Sequence, residues 1–82
     1  MTKYRKKPIV VEAVQYTGDT QSVQEVRAFT GRELEGNGRD LFIETLEGIL
    51  IIHPSAWVVK GAAGKFYLYD NDIFIQTHEL VE

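Results

Sequence analysis

The chain has 82 residues, which is enough for one small domain, because two separate cores would each bury too little apolar surface to offset chain entropy. Hydrophobic residues at 44% and charged residues at 26% are typical of a globular protein and exclude a disordered or collagen-like chain. Cysteine is absent, which excludes disulfides, a thiolate nucleophile and a Cys-based zinc site. No apolar run approaches the roughly 18 residues that span a bilayer, and no signal-peptide core follows the basic start, so we expect a cytoplasmic protein without membrane contact.

Charge is unevenly distributed along the chain. The net charge is −3, yet four of the nine basic residues and no acidic residue lie within the first seven positions, at Lys3, Arg5, Lys6 and Lys7. We therefore divide the chain into a basic N-terminal arm, 1–7, and a single domain, 8–82. The acidic remainder would repel a phosphate backbone, so nucleic acid is not the expected partner. A solvated leader is the simplest role for the arm, and contact with an acidic partner is the alternative.

The first half of the chain predicts a strand followed by a helix. Residues 8–16 are rich in β-branched side chains and predict the first strand. Asp19 or Thr20 is suited to cap the helix that follows, from about Thr20 to Thr30. Gly31 fits the left-handed position that ends many helices. Three apolar residues recur at helical spacing and predict its buried side: Val23, Val26 and Phe29.

The second half of the chain predicts mainly antiparallel strands. Glycine-containing connections separate apolar runs, which is typical of hairpins, and Gly36-Asn37-Gly38 marks a turn or loop before them. Asp70-Asn71-Asp72 is expected to cap a single helical turn. The predicted strands are 41–45, 49–53, 57–60, 65–69 and a last short one at 76–81.

These elements predict an α+β fold, with one curved antiparallel sheet, a roll or small barrel, and one main helix. The sheet and the helix are expected to share a single core. Burying a large apolar side chain contributes about 1.5 to 3 kcal/mol, so a few such residues should dominate the stability of the core. The residues expected in this role are Phe29, Phe42, Ile43, Ile51, Trp57, Phe66 and Phe74.

Nucleophilic and metal chemistry have few candidates. Ser22 and Ser55 are the only serines, and His53 and His78 are the only histidines. Ser55 follows a proline and is predicted to be a turn residue; no nucleophile-elbow motif supports the alternative of a Ser-His pair with His53. The two histidines form no His-x-x-His pattern, so we expect no metal site.

The paired carboxylates Asp70 and Asp72 do not continue into a calcium-loop motif, so helix capping explains them better than metal binding. We therefore expect no catalytic residue, no metal and no cofactor. A small hydrolase using His53 with Glu44 or Asp70 is the disfavoured enzymatic alternative.

Two tyrosines form the best candidate surface. Tyr67 and Tyr69 alternate with Phe66 and Leu68, so the tyrosines should face outward if the other two residues face the core. Exposed aromatic rings beside a positive charge can stack on a base or anchor a protein, and the alternative is cross-strand packing. The charges expected nearby belong to Lys60 and Lys65.

The opening of the chain, KYRKKPIVVEAVQYTG at 3–18, resembles a family of small phage and prophage proteins that begin with a sequence close to YRKKPVxVEAVQWTG. The family also has a central PGDW- or PGDY-like motif. Here Pro54-Ser55-Ala56-Trp57 keeps the proline and the aromatic residue, so no role of the family's aspartate transfers to this chain. Relatives tend toward Pro-Cys-Lys-Pro at 68–71, which makes Tyr69 an expected peculiarity of this protein. The likeness continues through 45–48, 57–61, 64–67 and 72–74.

This resemblance implies a phage origin and expression in the cytoplasm of a bacterial host cell. The leading hypothesis is a non-enzymatic binding protein that blocks or sequesters a host component, either a defence protein or a nucleotide signal. A minor virion or assembly protein is the alternative. Homo-oligomerisation is expected to help, because a small domain forms deep pockets most readily between subunits. The predicted partner-binding residues are Lys3, Arg5, Lys6, Lys7, Trp57, Lys60, Lys65, Tyr67 and Tyr69.

Overall fold

A computed structural model describes residues 2–3, 10–45, 48–61 and 64–81. Within these ranges the chain forms a small α+β domain, which confirms the predicted fold class. Among the predicted features, the start of the first strand at Pro8 and the basic residues Arg5, Lys6 and Lys7 lie outside the described residues. The elements are β1 (Glu12–Gln15), α1 (Thr20–Thr30), β2 (Glu35–Gly36), β3 (Leu41–Thr45), β4 (Gly48–Ile52), β5 (Trp57–Lys60), β6 (Phe66–Tyr69) and α2 (Asn71–Thr77).

The strands are divided between two antiparallel sheets of three strands each, instead of lying in the one sheet expected from the sequence. One sheet has the order β1-β5-β6 and the other the order β2-β3-β4. The division occurs at 53–56, where the chain turns sharply after β4 and enters β5, which pairs with β1. A strand that leaves one sheet at a turn of this kind cannot continue its ladder.

Helix α1 spans the predicted residues and has the predicted ends. Asp19 is extended, with φ −99° and ψ 168°, and its carboxylate accepts a hydrogen bond of 2.7 Å from the Ser22 NH. Gly31 is left-handed with φ 67°, and its NH donates to the Arg27 carbonyl at 2.9 Å. These contacts satisfy backbone groups that a helix leaves unpaired at its termini.

The prediction of a last strand at 76–81 is wrong. Helix α2 extends over Asn71–Thr77 where the sequence predicted one helical turn followed by a strand at 76–81. Its residues Ile73, Phe74 and Ile75 have side chains that favour strands, but the helix lets Phe74 stack on Trp57 of β5. This tertiary contact outweighs the local preference. Neither helix of the described chain is long and apolar enough to cross a membrane.

The core lies between α1 and the inner faces of both sheets. Ile43 is fully buried, as predicted, whereas Ile51 is 46% exposed and the prediction for it is wrong. Phe42 pairs with Ile51 across the ladder, so both lie on the outer face, and Phe42 is only half-buried. Every position from 49 to 52 is apolar, so alternation alone does not say which phase faces inward. The buried hydrophobic cluster consists of Tyr16, Val26, Leu41, Ile43, Ile52, Ala56 and Val58.

The other aromatic residues predicted in the core divide into two groups. Phe29 and Phe66 are partly buried against the core, with ring centroids 5.9 Å apart in an edge-to-face arrangement. Trp57 and Phe74 are half-buried, and they pack against each other instead of joining the buried cluster. The sheet β1-β5-β6 therefore has apolar packing on both of its faces.

The turn between the two sheets confirms Ser55 as a turn residue. The Ala56 NH donates to the His53 carbonyl at 3.1 Å, and Pro54 takes the second position, where its fixed φ is favourable. Ser55 has φ 77°, the one positive φ of a non-glycine residue in the described chain. Its NH donates to the Tyr16 carbonyl at 2.7 Å, which holds the turn against the end of β1. The left-handed conformation is unfavourable for a residue with a Cβ atom.

Replacing Ser55 with glycine is expected to raise the free energy of unfolding by about 1 kcal/mol, because glycine adopts positive φ without steric penalty. For a domain of this size that gain corresponds to a rise of about 4 to 8 °C in Tm, measurable by thermal unfolding. Ser55→Ala is the control, since it removes the hydroxyl and keeps the Cβ atom. An equal rise in both variants, or none in Ser55→Gly, would contradict the assignment of strain to this φ.

Candidate binding surface

The outer face of the sheet β1-β5-β6, opposite the core, carries three of the predicted partner-binding residues. Trp57 pairs with Tyr69, and Tyr67 follows on the same face of β6. Phe66 and Leu68 pack against the core, which confirms that the two tyrosines point the other way.

Helix α2 lies on this outer face and adds two more rings. Phe74 stacks on Trp57 with ring centroids 4.1 Å apart and planes inclined by 9°. His78 also stacks on Phe74, with ring centroids 4.5 Å apart and planes inclined by 7°. Tyr69 meets Phe74 and His78 edge-on at 6.4 and 5.2 Å. We call these four residues, Trp57, Tyr69, Phe74 and His78, the aromatic cluster.

A polar junction fixes the start of α2 against the sheet. The Asn71 Oδ1 accepts hydrogen bonds from the Trp57 Nε1 at 2.9 Å and from the Gln15 Nε2 at 3.3 Å. Gln15 Nε2 also donates to the Ser55 carbonyl at 3.0 Å. An indole NH has one hydrogen to donate, so this bond sets the orientation of the ring. The junction therefore links β1, β5 and α2.

Tyr67 is the most accessible ring of this surface. It is 47% exposed, whereas Tyr69 is half-buried within the aromatic cluster. The Tyr67 ring lies over the backbone of Gly61, where a Cβ atom would come within 2.7 Å of its Cε2. Because Gly61 has no side chain, one side of the ring packs directly against the backbone. Of the two tyrosines, Tyr69 is therefore packed against neighbouring rings, and Tyr67 is exposed.

The two predicted lysines, Lys60 and Lys65, differ in their position relative to these rings. Lys60 is opposite Phe66 at the end of β5, so strand alternation places it on the face away from the tyrosines. Lys65 is exposed and directly precedes β6, two residues before Tyr67, and its carbonyl accepts from the Gly61 NH at 2.8 Å. Lys3 is exposed. The structure therefore brings together Trp57, Tyr67 and Tyr69, and it separates Lys60 from them.

Acidic side chains occur where basic ones were expected. Asp70 and Asp72 flank Asn71 at the beginning of α2 and line one wall of an open cleft of about 280 Å³. His53 and Ser55 also line this cleft. The surroundings of the aromatic cluster are consequently more acidic than the sequence alone indicated.

Three residues of this surface were not among the predicted binding residues: Asn71, Phe74 and His78. Phe74 and His78 are four residues apart, a spacing that places two side chains on one side of a helix. That signal was not recognised because 76–81 was predicted as a strand. No sequence pattern indicated that Asn71 accepts from Trp57, because the two residues meet only through the docking of α2.

In the structure, His53 contacts a residue other than those expected for a hydrolytic site. His53 Nδ1 lies 2.9 Å from Asp40 Oδ1, and this hydrogen bond holds the pKa of the Asp40 carboxyl below its usual value. His53 is thus paired with Asp40, a contact that no sequence pattern indicated, and not with Ser55, Glu44 or Asp70. Within the described ranges, no three His, Asp or Glu side chains are placed to hold a metal ion.

Comparison with known proteins adds no relative to this description. No protein-family model, no curated protein and no solved structure matches the chain. The resemblance of 3–18 to the phage and prophage family therefore stays a prediction, and the arrangement of residues on the sheet is the basis for any functional conclusion.

Proposed function

We propose that this chain is a phage-encoded binding protein without catalytic activity, and that it blocks or sequesters a component of the bacterial host. The recognition surface is Tyr67 together with the exposed edge of the aromatic cluster. The observation that supports this proposal is the outward-facing position of Tyr67, 47% exposed, beside rings held in place by α2. The resemblance of the opening sequence supports the phage origin and the cytoplasm of the host as the site of action.

Aromatic side chains are well suited to such a role. Tyrosine and tryptophan combine a large contact area with few rotatable bonds, and tyrosine retains a hydroxyl for a hydrogen bond. The Tyr67 ring is seated on Gly61, so little of its freedom remains to be lost on binding. Trp57 and Phe74 support the surface from beneath by stacking on each other.

A host protein, such as a defence protein, is the partner class that the charges favour. Asp70 and Asp72 lie at the start of α2, and Lys60 lies on the opposite face of the sheet from the tyrosines. A phosphate-bearing ligand would meet repulsion from these carboxylates. A nucleotide signal is therefore the less favoured partner, and it is detectable as a small molecule released from the captured complex.

Replacing Tyr67 with alanine is expected to reduce partner capture about 30-fold, the effect of losing a central aromatic contact of about 2 kcal/mol. The protein is immobilised, incubated with lysate of the bacterial host, and bound proteins and released small molecules are quantified by mass spectrometry. Tyr69 is left intact because it packs against Phe74 and His78, and its loss would also disturb the fold.

Ile75→Ala is the matched control, because Ile75 is 62% exposed on α2 and is not a member of the aromatic cluster. Capture retained by Tyr67→Ala, or lost equally in Ile75→Ala, would contradict the proposed surface. Turnover of any compound by the pure protein, abolished by a single replacement of His53, Glu44 or Asp70, would instead support the hydrolytic alternative.

The alternative of a minor virion or assembly protein is favoured by one observation: the outer side of β4 pairs with no strand of the described chain. Co-sedimentation with purified phage particles distinguishes the two functions. A protein that remains with the particles after a salt wash is structural, whereas one that stays in the supernatant acts in the host cell.

A further inference from the structure

Strand β4 is at the edge of the sheet β2-β3-β4, and no strand of the described chain pairs with its outer side. It is five residues long, Gly48–Ile52, and contains no charge and no proline. Its register with β3 is continuous, without a bulge. Edge strands of monomeric proteins usually carry lysine, proline or a bulge that prevents pairing with another chain. The edge of β4 has none of these.

The backbone groups of Ile49 and Ile51 point to this open edge. The Asn37 NH donates to the Asp40 carbonyl at 3.2 Å, which makes that pair hydrogen-bonded. Alternation along the antiparallel ladder then directs Phe42 to β2, and its neighbours on either side to β4. On β4 the same alternation leaves the NH and carbonyl groups of every second residue, Ile49 and Ile51, without a partner among the described strands.

The side chains of the same two residues are exposed, Ile49 by 66% and Ile51 by 46%. Both lie on the outer face, since they pair with Glu44 and Phe42 of β3. Within the described chain, the edge of β4 therefore offers both backbone hydrogen-bonding groups and apolar side chains to another strand.

Two β4 strands can pair antiparallel with the two-fold axis at Leu50. Such a pair engages both the backbone groups and the isoleucine side chains. Ile49 of each copy then lies opposite Ile51 of the other, and the two pairs exchange about four backbone hydrogen bonds. On the outer face the isoleucines form one apolar row with Phe42, and like residues meet without a change of register. A strand with this symmetry is complementary to its own copy.

Charge does not oppose pairing of two copies at this uncharged edge. The chain is acidic, with a net charge of −3, so two copies repel except where they meet through uncharged residues. Among the described residues, the acidic residue paired with β4 on this face is Glu44 of β3, opposite Ile49. In the paired sheet the two copies of Glu44 are separated by three strand spacings, roughly 14 Å, which exceeds the Debye length of about 8 Å at physiological salt.

We propose that β4 is the contact strand of a symmetric homodimer, in which two copies of this chain form a continuous six-stranded antiparallel sheet. One strand pair of this length buries less than the roughly 1,200 Å² of a stable complex. The dimer is therefore reversible and depends on protein concentration. This inference is independent of the aromatic cluster, which belongs to the other sheet.

Sedimentation equilibrium from about 10 µM to about 1 mM is expected to show a monomer that converts to a dimer. Ile51→Lys is expected to shift the dimer midpoint at least about tenfold toward higher concentration, because an edge lysine opposes pairing. Ile73→Lys is the matched control: Ile73 is similarly exposed, by 49%, but lies on α2. It should leave the midpoint unchanged.

Hydrogen exchange of the unmodified protein provides a test that does not depend on the folding of a variant. The amides of Ile49 and Ile51 should exchange rapidly in dilute solution and slowly at high concentration, while the Leu50 amide, bonded to β3, stays protected throughout. If the protein is still monomeric at about 1 mM, the highest concentration of the experiment, the proposal is overturned. So does protection of Ile49 and Ile51 in the monomer, which would mean that residues 4–9 or another part of the chain cover the edge.

Discussion

Asn71→Leu is expected to lower the free energy of unfolding by about 1 to 3 kcal/mol, because it leaves the Trp57 indole NH without its acceptor in a half-buried position. Leucine has the same number of side-chain heavy atoms as asparagine and the same branching at Cγ, so the loss reports the hydrogen bond more than the packing. The same change removes the acceptor of Gln15 Nε2. Chemical denaturation measures the loss, and it should appear together with weaker docking of α2.

Trp57 is the only tryptophan of the chain, so its fluorescence reports this junction directly. Undocking of α2 would expose the indole and shift its emission to longer wavelength in the folded protein. Asn71→Asp is the control, because it keeps an oxygen acceptor beside the indole; salt screens the repulsion from Asp70 and Asp72. Equal losses in the two variants, or unchanged emission in Asn71→Leu, would contradict the assigned role of Asn71.

The second large effect concerns the two isoleucines that the sequence could not tell apart. Ile43→Ala is expected to lower the free energy of unfolding by about 2 to 5 kcal/mol, because Ile43 is fully buried and its removal leaves a cavity. Ile51→Ala is expected to cost less than about 1 kcal/mol, because the side chain is 46% exposed. Urea unfolding at about 1 µM protein compares the two without a contribution from dimerisation.

A reversed order of these two losses would mean that β3 and β4 present the opposite faces to the core. In that case the shift of register by one residue would also move Leu41 and Ile52 to the surface. Similar losses in both variants would indicate that the outer face of β4 is covered in the monomer.

The aromatic cluster shows how a small domain can stabilise a surface that faces outward. The sheet β1-β5-β6 uses Val58 and Leu68 toward the core and Trp57 and Tyr69 toward α2. Because α2 covers the cluster only in part, Tyr67 remains accessible at its margin. Stability and recognition therefore depend on neighbouring residues of the same strand, and they can be separated by changing Tyr67 alone.

Features that depend on neighbours in the chain were predicted correctly. Helix α1 begins and ends at the predicted residues, because the Asp19 carboxylate and the left-handed Gly31 act within one turn of the helix. The strands Leu41–Thr45 and Trp57–Lys60 also have the predicted bounds. Glycine-containing connections and alternating side chains are local signals, and they do not require knowledge of the fold.

Features that depend on distant contacts were not. Residues 73–75 favour a strand, and only the stacking of Phe74 on Trp57 makes them part of a helix. Positions 49–52 are apolar throughout, so the burial of Ile52 and the exposure of Ile51 follow from the pairing with β3. Lys60 was placed beside the tyrosines by its proximity in sequence, whereas the strand pleat puts it on the other face.

The amino-acid sequence by itself determined the α+β class, the main helix with its caps, the hairpins and the outward direction of Tyr67, because capping, turn formation and strand alternation operate over a few residues. The tertiary structure alone decided that the strands divide into two sheets, that α2 completes an aromatic cluster and that Asn71 orients Trp57. Those contacts join residues far apart in the chain, and their free energy depends on the packing of the whole domain.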